Sequence, residues 1–379
     1  MFRVQVKPEM LRRARERAGL SADDLHRKFP KMDLWESEEV RPTLKQLEAF
    51  AKATYLPIGY FFVGEMPDDK IPIPDLRTIG NREVRRPSPN LLDTIYLCQQ
   101  RQTWYHDYAR EQGDKPLDFV RSVDMESPVE DVAAKMRETL NFDLDARRQN
   151  PTWTDALREF IEQADDAGVM VMTSGVVGNN PNRKLDVKEF RGFALADRFA
   201  PLVFINGTDS KSAQMFTLAH ELAHIWLGEN ALTDDDPRIL SSNKIEVWCN
   251  RVAAEFLVPL DALKQDLRAD AAPRIRMLAH NYKVSNLVIL RRLLDADHFD
   301  RQEFQREYEA ELARLQEISG GAGGDFYRTV KARVSNRFAR DLVASTLEGR
   351  TSFSESFYLL GIQKMETFKK FGRQLGVFA

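Results

Sequence analysis

Apolar positions in the opening sixty residues recur at helical spacing. Met10, Leu11 and Ala14 fall on one face of a segment over residues 7–18, and Gly19 supplies the stop. Ser21 stands as an N-cap before a helix over 22–29, which Pro30 ends, and Met32, Leu34 and Trp35 then add apolar side chains. Thr43, with Gln46 three positions later, gives a capping-box signature ahead of LKQLEAFAKAT. The pattern predicts a compact helical module. It breaks over residues 66–75 (MPDDKIPIPD), where three prolines each remove a donor and fix φ, so that stretch reads as an extended linker. Helical periodicity returns after Ser88-Pro89, in LLDTIYLCQQRQTWYHDYAREQ, and after Ser127-Pro128-Val129-Glu130, in DVAAKMRETL.

The texture changes from Trp153. A helix TDALREFIEQADDA stops at Gly168, VMVMT is a β-rich run, and GVVGNNPN is a loop. FRGFALAD and PLVFIN, joined by a short turn over 198–200, predict an antiparallel pair. The result is a small antiparallel sheet of about three strands beside helices. Beyond Pro259 the chain is again mostly helical, and GGAGG at 320–324 marks a flexible joint. The fold class expected is α+β, mostly helical. It divides into a helical module at 1–65, a Pro-rich linker and helical segment at 66–150, a central domain at 151–297 and a C-terminal helical segment at 298–379.

Composition narrows the classes. With 379 residues, 43% hydrophobic and 30% charged, this is an ordinary globular chain rather than a disordered one. Its 55 Lys+Arg against 58 Asp+Glu leave a net charge of -3, so no global basic field argues for nucleic acid. Two cysteines, Cys98 and Cys249, exclude a disulfide framework. The N-terminus lacks an apolar signal core, and no run approaches about 18 apolar residues, so a cytoplasmic protein without a membrane span is expected. Histidine is scarce, with six in the chain, and two of them share one short motif.

That motif is His220-Glu221-Leu222-Ala223-His224, inside a helical stretch from Asp209 or Ser210, either of which can cap it, to Gly228, which suits its end. At roughly 100° per residue, His220 and His224 stand one turn apart on one face, where two imidazoles can bind a single Zn²⁺. Glu221 projects beside them, placed as a general base toward the water such a metal activates. A catalytic zinc needs a third protein ligand and an open position. In the downstream helix SSNKIEVWCNRVAAEFLVP, Glu246 is the better choice; Glu255 lies about half a turn away around the axis and suits Arg251. Asn250, one turn below Glu246, is placed to fix the tautomer of a ligand histidine. His280 and His298 are alternative ligands without a favouring spacing. Tyr282 and His280 are conceivable oxyanion donors. The FRGFALAD strand reads either as an edge that could pair an extended peptide or as an internal strand. Loops at 178–183 or 234–238 could cover the site.

At these residues the sequence resembles the ImmA/IrrE family of zinc metallopeptidases, through FRGFALAD, PLVFIN, FTLAHELAHIWLGE and EVWCNRVAAEFLVP, and more loosely through LAHNYKVSNLVILRRLL. The resemblance implies a zincin-like domain with His220, His224 and Glu246 as ligands of Zn²⁺, or Mn²⁺ in its place, and Glu221 as general base. It also implies a protein substrate: some members cleave a helix-turn-helix repressor, and others sit beside toxin or mobile-element genes, which makes a toxin–antitoxin partner a second class. The N-terminal block is similar to an XRE-type helix-turn-helix, from LRRARERAGLSADDLHRKF through WESEEVRPTLKQLEAFAKAT. It departs where DNA would be read. Only PKMDL separates Phe29 from Trp35, too short for a turn plus a full recognition helix, and Asp33, Glu36, Glu38 and Glu39 would repel phosphate. The stripe Arg12, Arg13, Arg15 and Arg17 suits a solvated face, so protein docking is favoured over DNA binding. The leading expectation is a zinc endopeptidase acting on a regulatory protein. The alternative is a DNA-binding regulator or antitoxin-like protein using the same fold without turnover.

Overall fold

The computed structural model describes residues 3–63, 70–75, 87–233, 243–269, 275–317 and 333–377. The chain forms two compact units, Met1–Pro72 with Val84–Ile95, and Ile73–Glu83 with Tyr96–Ala379. The GGAGG joint and residues 66–69 of the Pro-rich stretch lie outside the described residues.

In the first unit, helices α1 (Pro8–Arg17), α2 (Ala22–His26), α3 (Met32–Glu36), α4 (Leu44–Ala53) and α5 (Tyr60–Val63) enclose one apolar core. Met10, Leu11 and Ala14 are buried, as their spacing predicts. The capping box at α4 is formed: Thr43 Oγ1 accepts from Gln46 N at 3.3 Å, and Gln46 Oε1 accepts from Thr43 N at 2.9 Å. Phe50 centres the core, with Phe29 and Phe61 rings at 5.6 and 5.7 Å. Helix α2 is shorter than its pattern suggests, ending at His26, and α3 has only five residues. Glu36 at the end of α3 lies 3.8 Å from Arg12 and 3.5 Å from Arg15, while Glu9 pairs with Arg13 at 2.5 Å. Much of the arginine stripe on α1 therefore faces acids of its own unit.

The second unit takes α6 (Pro89–Gln112) from Tyr96 onward, α7 (Val129–Thr139), α8 (Leu144–Gln149) and α9 (Trp153–Asp166), then strands β1 (Met170–Ser174), β2 (Gly192–Leu195) and β3 (Leu202–Asn206). Helix α10 (Lys211–Leu227), strand β4 (Ala231–Thr233) and α11 (Lys244–Leu257) follow. The remainder is helical: α12 (Leu260–Ala269), α13 (Ile275–Tyr282), α14 (Asn286–Asp295), α15 (Arg301–Glu317), α16 (Asn336–Leu347), α17 (Phe353–Leu360) and α18 (Met365–Gln374). None of the described helices is long and apolar enough to cross a membrane.

The four strands run in the order β1-β3-β2-β4. The expected β2–β3 antiparallel pair forms, with Phe193 opposite Phe204 and their rings 5.0 Å apart. The expectation of a purely antiparallel, three-stranded sheet is corrected in two ways. Strand β3 inserts between β1 and β2 and so lies parallel to β1, and the three-residue β4 adds antiparallel to the other side of β2. Every residue of β2 and β3 is buried, which is why both read as continuous apolar runs without alternation. Strand β2 pairs with β3 on one side and, over residues 192–194, with β4 on the other, so the reading of FRGFALAD as a peptide-pairing edge does not hold for those residues. Beside β4, Leu232 N donates to Pro74 O at 3.0 Å, which engages that strand's outer side with the extended end of the linker.

Helix α10 packs against β2, β3, α9 and α11. It is buried nearly all round, as a helix apolar on several faces must be. Leu218, Leu222 and Trp226 are almost fully withdrawn from water, each worth roughly 1.5–3 kcal/mol. Ser210 caps it by accepting from Ala213 N at 3.2 Å. At the other end Gly228 takes φ 77°, and an added Cβ there would lie 2.5 Å from Arg121 Cβ. That close approach lets Arg121 N and Ser122 N donate to the carbonyls of Ile225 and Trp226 at 3.2 and 2.9 Å, satisfying acceptors that the helix end exposes.

Candidate metal centre

Two helices bring the site together. On α10 the four-residue spacing sets His220 and His224 on one face, and both are fully buried. On α11, Asn243 Oδ1 accepts from Ile245 N at 2.9 Å, which starts the helix so that Glu246 falls in its first turn, where the helix dipole favours an acid. Trp248, Cys249, Val252 and Phe256 anchor α11 in the same core as α10.

The packing places Glu246 Oε2 3.3 Å from His220 Nε2 and Glu246 Oε1 3.2 Å from His224 Nε2. The two Nε2 atoms are 3.0 Å apart. One ligand atom from each of the three residues lies within 4.8 Å of the others. Asn250 Oδ1 lies 3.1 Å from His220 Nδ1; because an amide oxygen only accepts, this contact puts a proton on Nδ1 and leaves the Nε2 lone pair facing the centre. With no cation in the centre, burial raises the Glu246 carboxyl pKa, and the charge and hydrogen bonds that His220 and His224 supply when protonated outweigh it and hold that pKa below the usual range; a bound cation would take the place of those protons. Electron-rich atoms converging in a dry space repel one another unless a cation lies among them, so the arrangement fits a metal ion. Two imidazoles with one carboxylate form a borderline donor set, suited to Zn²⁺.

Glu221 is also fully buried and projects from the same helix toward the sheet. Its Oε1 accepts a hydrogen bond from Thr233 Oγ1 on β4. Gly192 on β2 is the other neighbour: a Cβ there would lie 2.8 Å from Glu221 Oε1, 2.7 Å from Thr217 Cγ2 and 3.0 Å from Phe204 O. Neither Thr233 nor Gly192 emerges from the motif reading. The signal for Gly192 was a glycine inside a β-rich run, which marks close backbone approach. Thr233 gave none, since β4 is too short to show a period. Gly192→Ala is expected to cost about 1–3 kcal/mol through this overpacking. Thermal melting checks it, and an unchanged Tm would show that Glu221 and Thr217 can yield.

The remaining sequence candidates go elsewhere. Glu255 pairs with Arg292 of α14, not with Arg251, because α14 packs where sequence spacing could not place it. His280 is exposed, edge-on to Trp153 at 5.4 Å, and His298 is exposed beside Phe299. Tyr282 Oη donates to Asp266 at 2.7 Å and accepts from Arg148 at 3.0 Å, so its hydroxyl serves that network rather than an oxyanion. Loop 178–183 is tied through Asn179 to Gly361 and Arg333, and loop 234–238 lies outside the described residues.

A small mixed sheet, a buried helix carrying two histidines and a second helix completing a His-His-Glu group make up this region, and the family match over it suggests a metallopeptidase-type fold. Residues 164–294, which span all four strands and the whole centre, match the Peptidase M78 family model, described as an IrrE N-terminal-like domain. That match supports the ImmA/IrrE resemblance over this region. Residues 334–374 match a domain of unknown function (DUF8813). No curated protein and no solved structure matches the chain.

Proposed function

We propose that this chain is a zinc-dependent endopeptidase acting on a regulatory protein, a helix-turn-helix repressor or a toxin–antitoxin partner. The observation that carries it is the buried convergence of His220, His224 and Glu246 with Glu221 one residue away from the first ligand. His220, His224 and Glu246 hold the metal, with Zn²⁺ favoured and Mn²⁺ compatible with the carboxylate. When bound, such an ion lowers the pKa of water toward about 7 and polarises a carbonyl. Glu221 takes a proton from the attacking water on its carboxylate and delivers it to the leaving nitrogen. Thr233 fixes the direction of that carboxylate through Oε1, and Asn250 holds His220 in the tautomer that keeps Nε2 available. The first unit docks protein rather than reading DNA; the short α3 and the pairing of Arg12 and Arg15 with Glu36 support this over the DNA-binding alternative.

A latent form of the enzyme has its own support. His220, Glu221 and His224 have no exposed surface and Glu246 is 3% exposed, so a peptide bond reaches them only after the site opens. The test of the peptidase reading is metal analysis of the purified chain together with proteomics of cells carrying wild type or Glu221→Ala. Fragments of a regulatory protein present with wild type alone support it. Identical fragment sets under activating conditions would sink it.

A further inference from the structure

The C-terminal end of α11 carries an unusual concentration of cations. Arg137 Nη1 donates to the carbonyls of Glu255 and Phe256 at 2.9 and 3.3 Å, Arg292 Nε donates to Val258 O at 2.9 Å, and Arg147 Nη2 donates to Leu257 O. Cations at a helix C-terminus satisfy its free carbonyls and its dipole, which accounts for these contacts. Charge balance is uneven, however. Arg292 has Glu255 as a counterion, and Arg148 has Asp266 at 2.8 Å.

Among the described residues, Arg147 and Lys283 have no such partner. Arg147, on α8, is 2% exposed; beyond its bond to Leu257 its guanidinium stacks 4.8 Å over Phe142, and its Nε and Nη1 meet no acceptor among the described residues. Lys283 follows α13, which packs on α8, and is 0% exposed with its Nζ likewise unsatisfied among the described residues. It takes φ 52°, a left-handed conformation where glycine is the usual residue. The two cations repel each other, and Arg147 is repelled further by Arg148 and Arg137. Burial, the largest influence on both, lowers Arg147 to about 9, which leaves it charged at neutral pH. Buried ammonium and guanidinium groups without a counterion are among the costliest features a fold can carry, and such groups in native proteins normally face an ion, water or an acid.

We propose that Arg147 and Lys283 form a closed binding site for a small inorganic oxyanion, phosphate or sulfate. A tetrahedral oxyanion offers acceptors in several directions to Nε, Nη1 and the three N–H bonds of Nζ, and a charge near -2 balances two cations. Both groups are almost inaccessible to solvent, which favours a small enclosed ion over a large ligand. The site is separate from the metal centre and stands whether or not the chain is a peptidase.

Thermal melting of the full chain, first exchanged into buffer free of oxyanions, tests this. Phosphate or sulfate should raise Tm saturably, by roughly 5 °C at a hundred times Kd, while sodium chloride at matched ionic strength should not. Lys283→Met should abolish the saturable rise and, without the oxyanion, melt no lower than wild type, because the uncompensated charge is gone. A rise shared equally by wild type and Lys283→Met, or reproduced by chloride, would overturn the site. Equilibrium dialysis of the wild-type chain against radiolabelled sulfate is independent of how the variant folds. Retention of about one ion per chain is expected, and none retained refutes the proposal. Phosphate and sulfate titrations run separately identify which of the two anions binds tighter.

Discussion

Replacing Glu221 by alanine or glutamine is expected to lower the rate of peptide cleavage by about 10²–10⁴-fold, the usual contribution of a positioned general base, with metal content unchanged. The two substitutions separate base from scaffold. Glutamine keeps an oxygen able to accept from Thr233 Oγ1 and fills the space beside Gly192, but it cannot take up a proton at neutral pH. Alanine removes both and leaves Thr233 Oγ1 with Gly192 O, 3.5 Å away, as an acceptor already within reach. Glutamine should therefore melt close to wild type and alanine somewhat lower, while both lose turnover alike. Mass spectrometry of fragments, metal analysis and thermal melting on the same preparations check the three parts. Retained cleavage in the glutamine variant would remove Glu221 from the proposed chemistry. Loss of metal in that variant would show that Glu221 supports the centre itself.

How much of this centre the sequence discloses follows from the range of each interaction. His220 and His224 lie one helical turn apart, so a local period is enough to put them on one face, and Ser210 and Gly228 bound their helix by local capping rules. Glu246 and Asn250 sit one turn apart on a second helix, and a single tertiary packing event delivers both to the histidines. Interactions that depend on strand order were not legible. Thr233 reaches Glu221 only because β4 adds beside β2, and the parallel pairing of β1 with β3 arises from β3 inserting between strands that precede it. The pairing of Glu255 with Arg292 spans 37 residues, and nothing local marks it. Apolar runs such as PLVFIN tell of burial on both faces but not of which neighbour lies on either side.

His224→Ala is expected to remove the metal and to destabilise the chain, with about 3–5 kcal/mol lost because Glu246 is left buried with one partner fewer. The low pKa of that carboxyl depends on both imidazoles opposing its burial, so deleting one leaves the ionised form poorly compensated. Glu246→Gln is the informative companion. It removes the ligand charge, and with it most of the metal affinity, yet the neutral amide is far less costly to bury, so its melting temperature without metal should stay near that of metal-free wild type. Measured together, the variants distinguish two kinds of centre. If the trio serves metal, wild type should bind about one equivalent and melt higher with it, and both variants should lose that rise. If the trio is only a buried ion pair, His224→Ala should still melt lower than wild type, but adding Zn²⁺ or Mn²⁺ should move none of the three curves. Titration of each metal into chelator-treated chain, followed by melting, decides between these outcomes, and the absence of any metal-dependent rise in wild type would defeat the metal assignment of His220, His224 and Glu246 together.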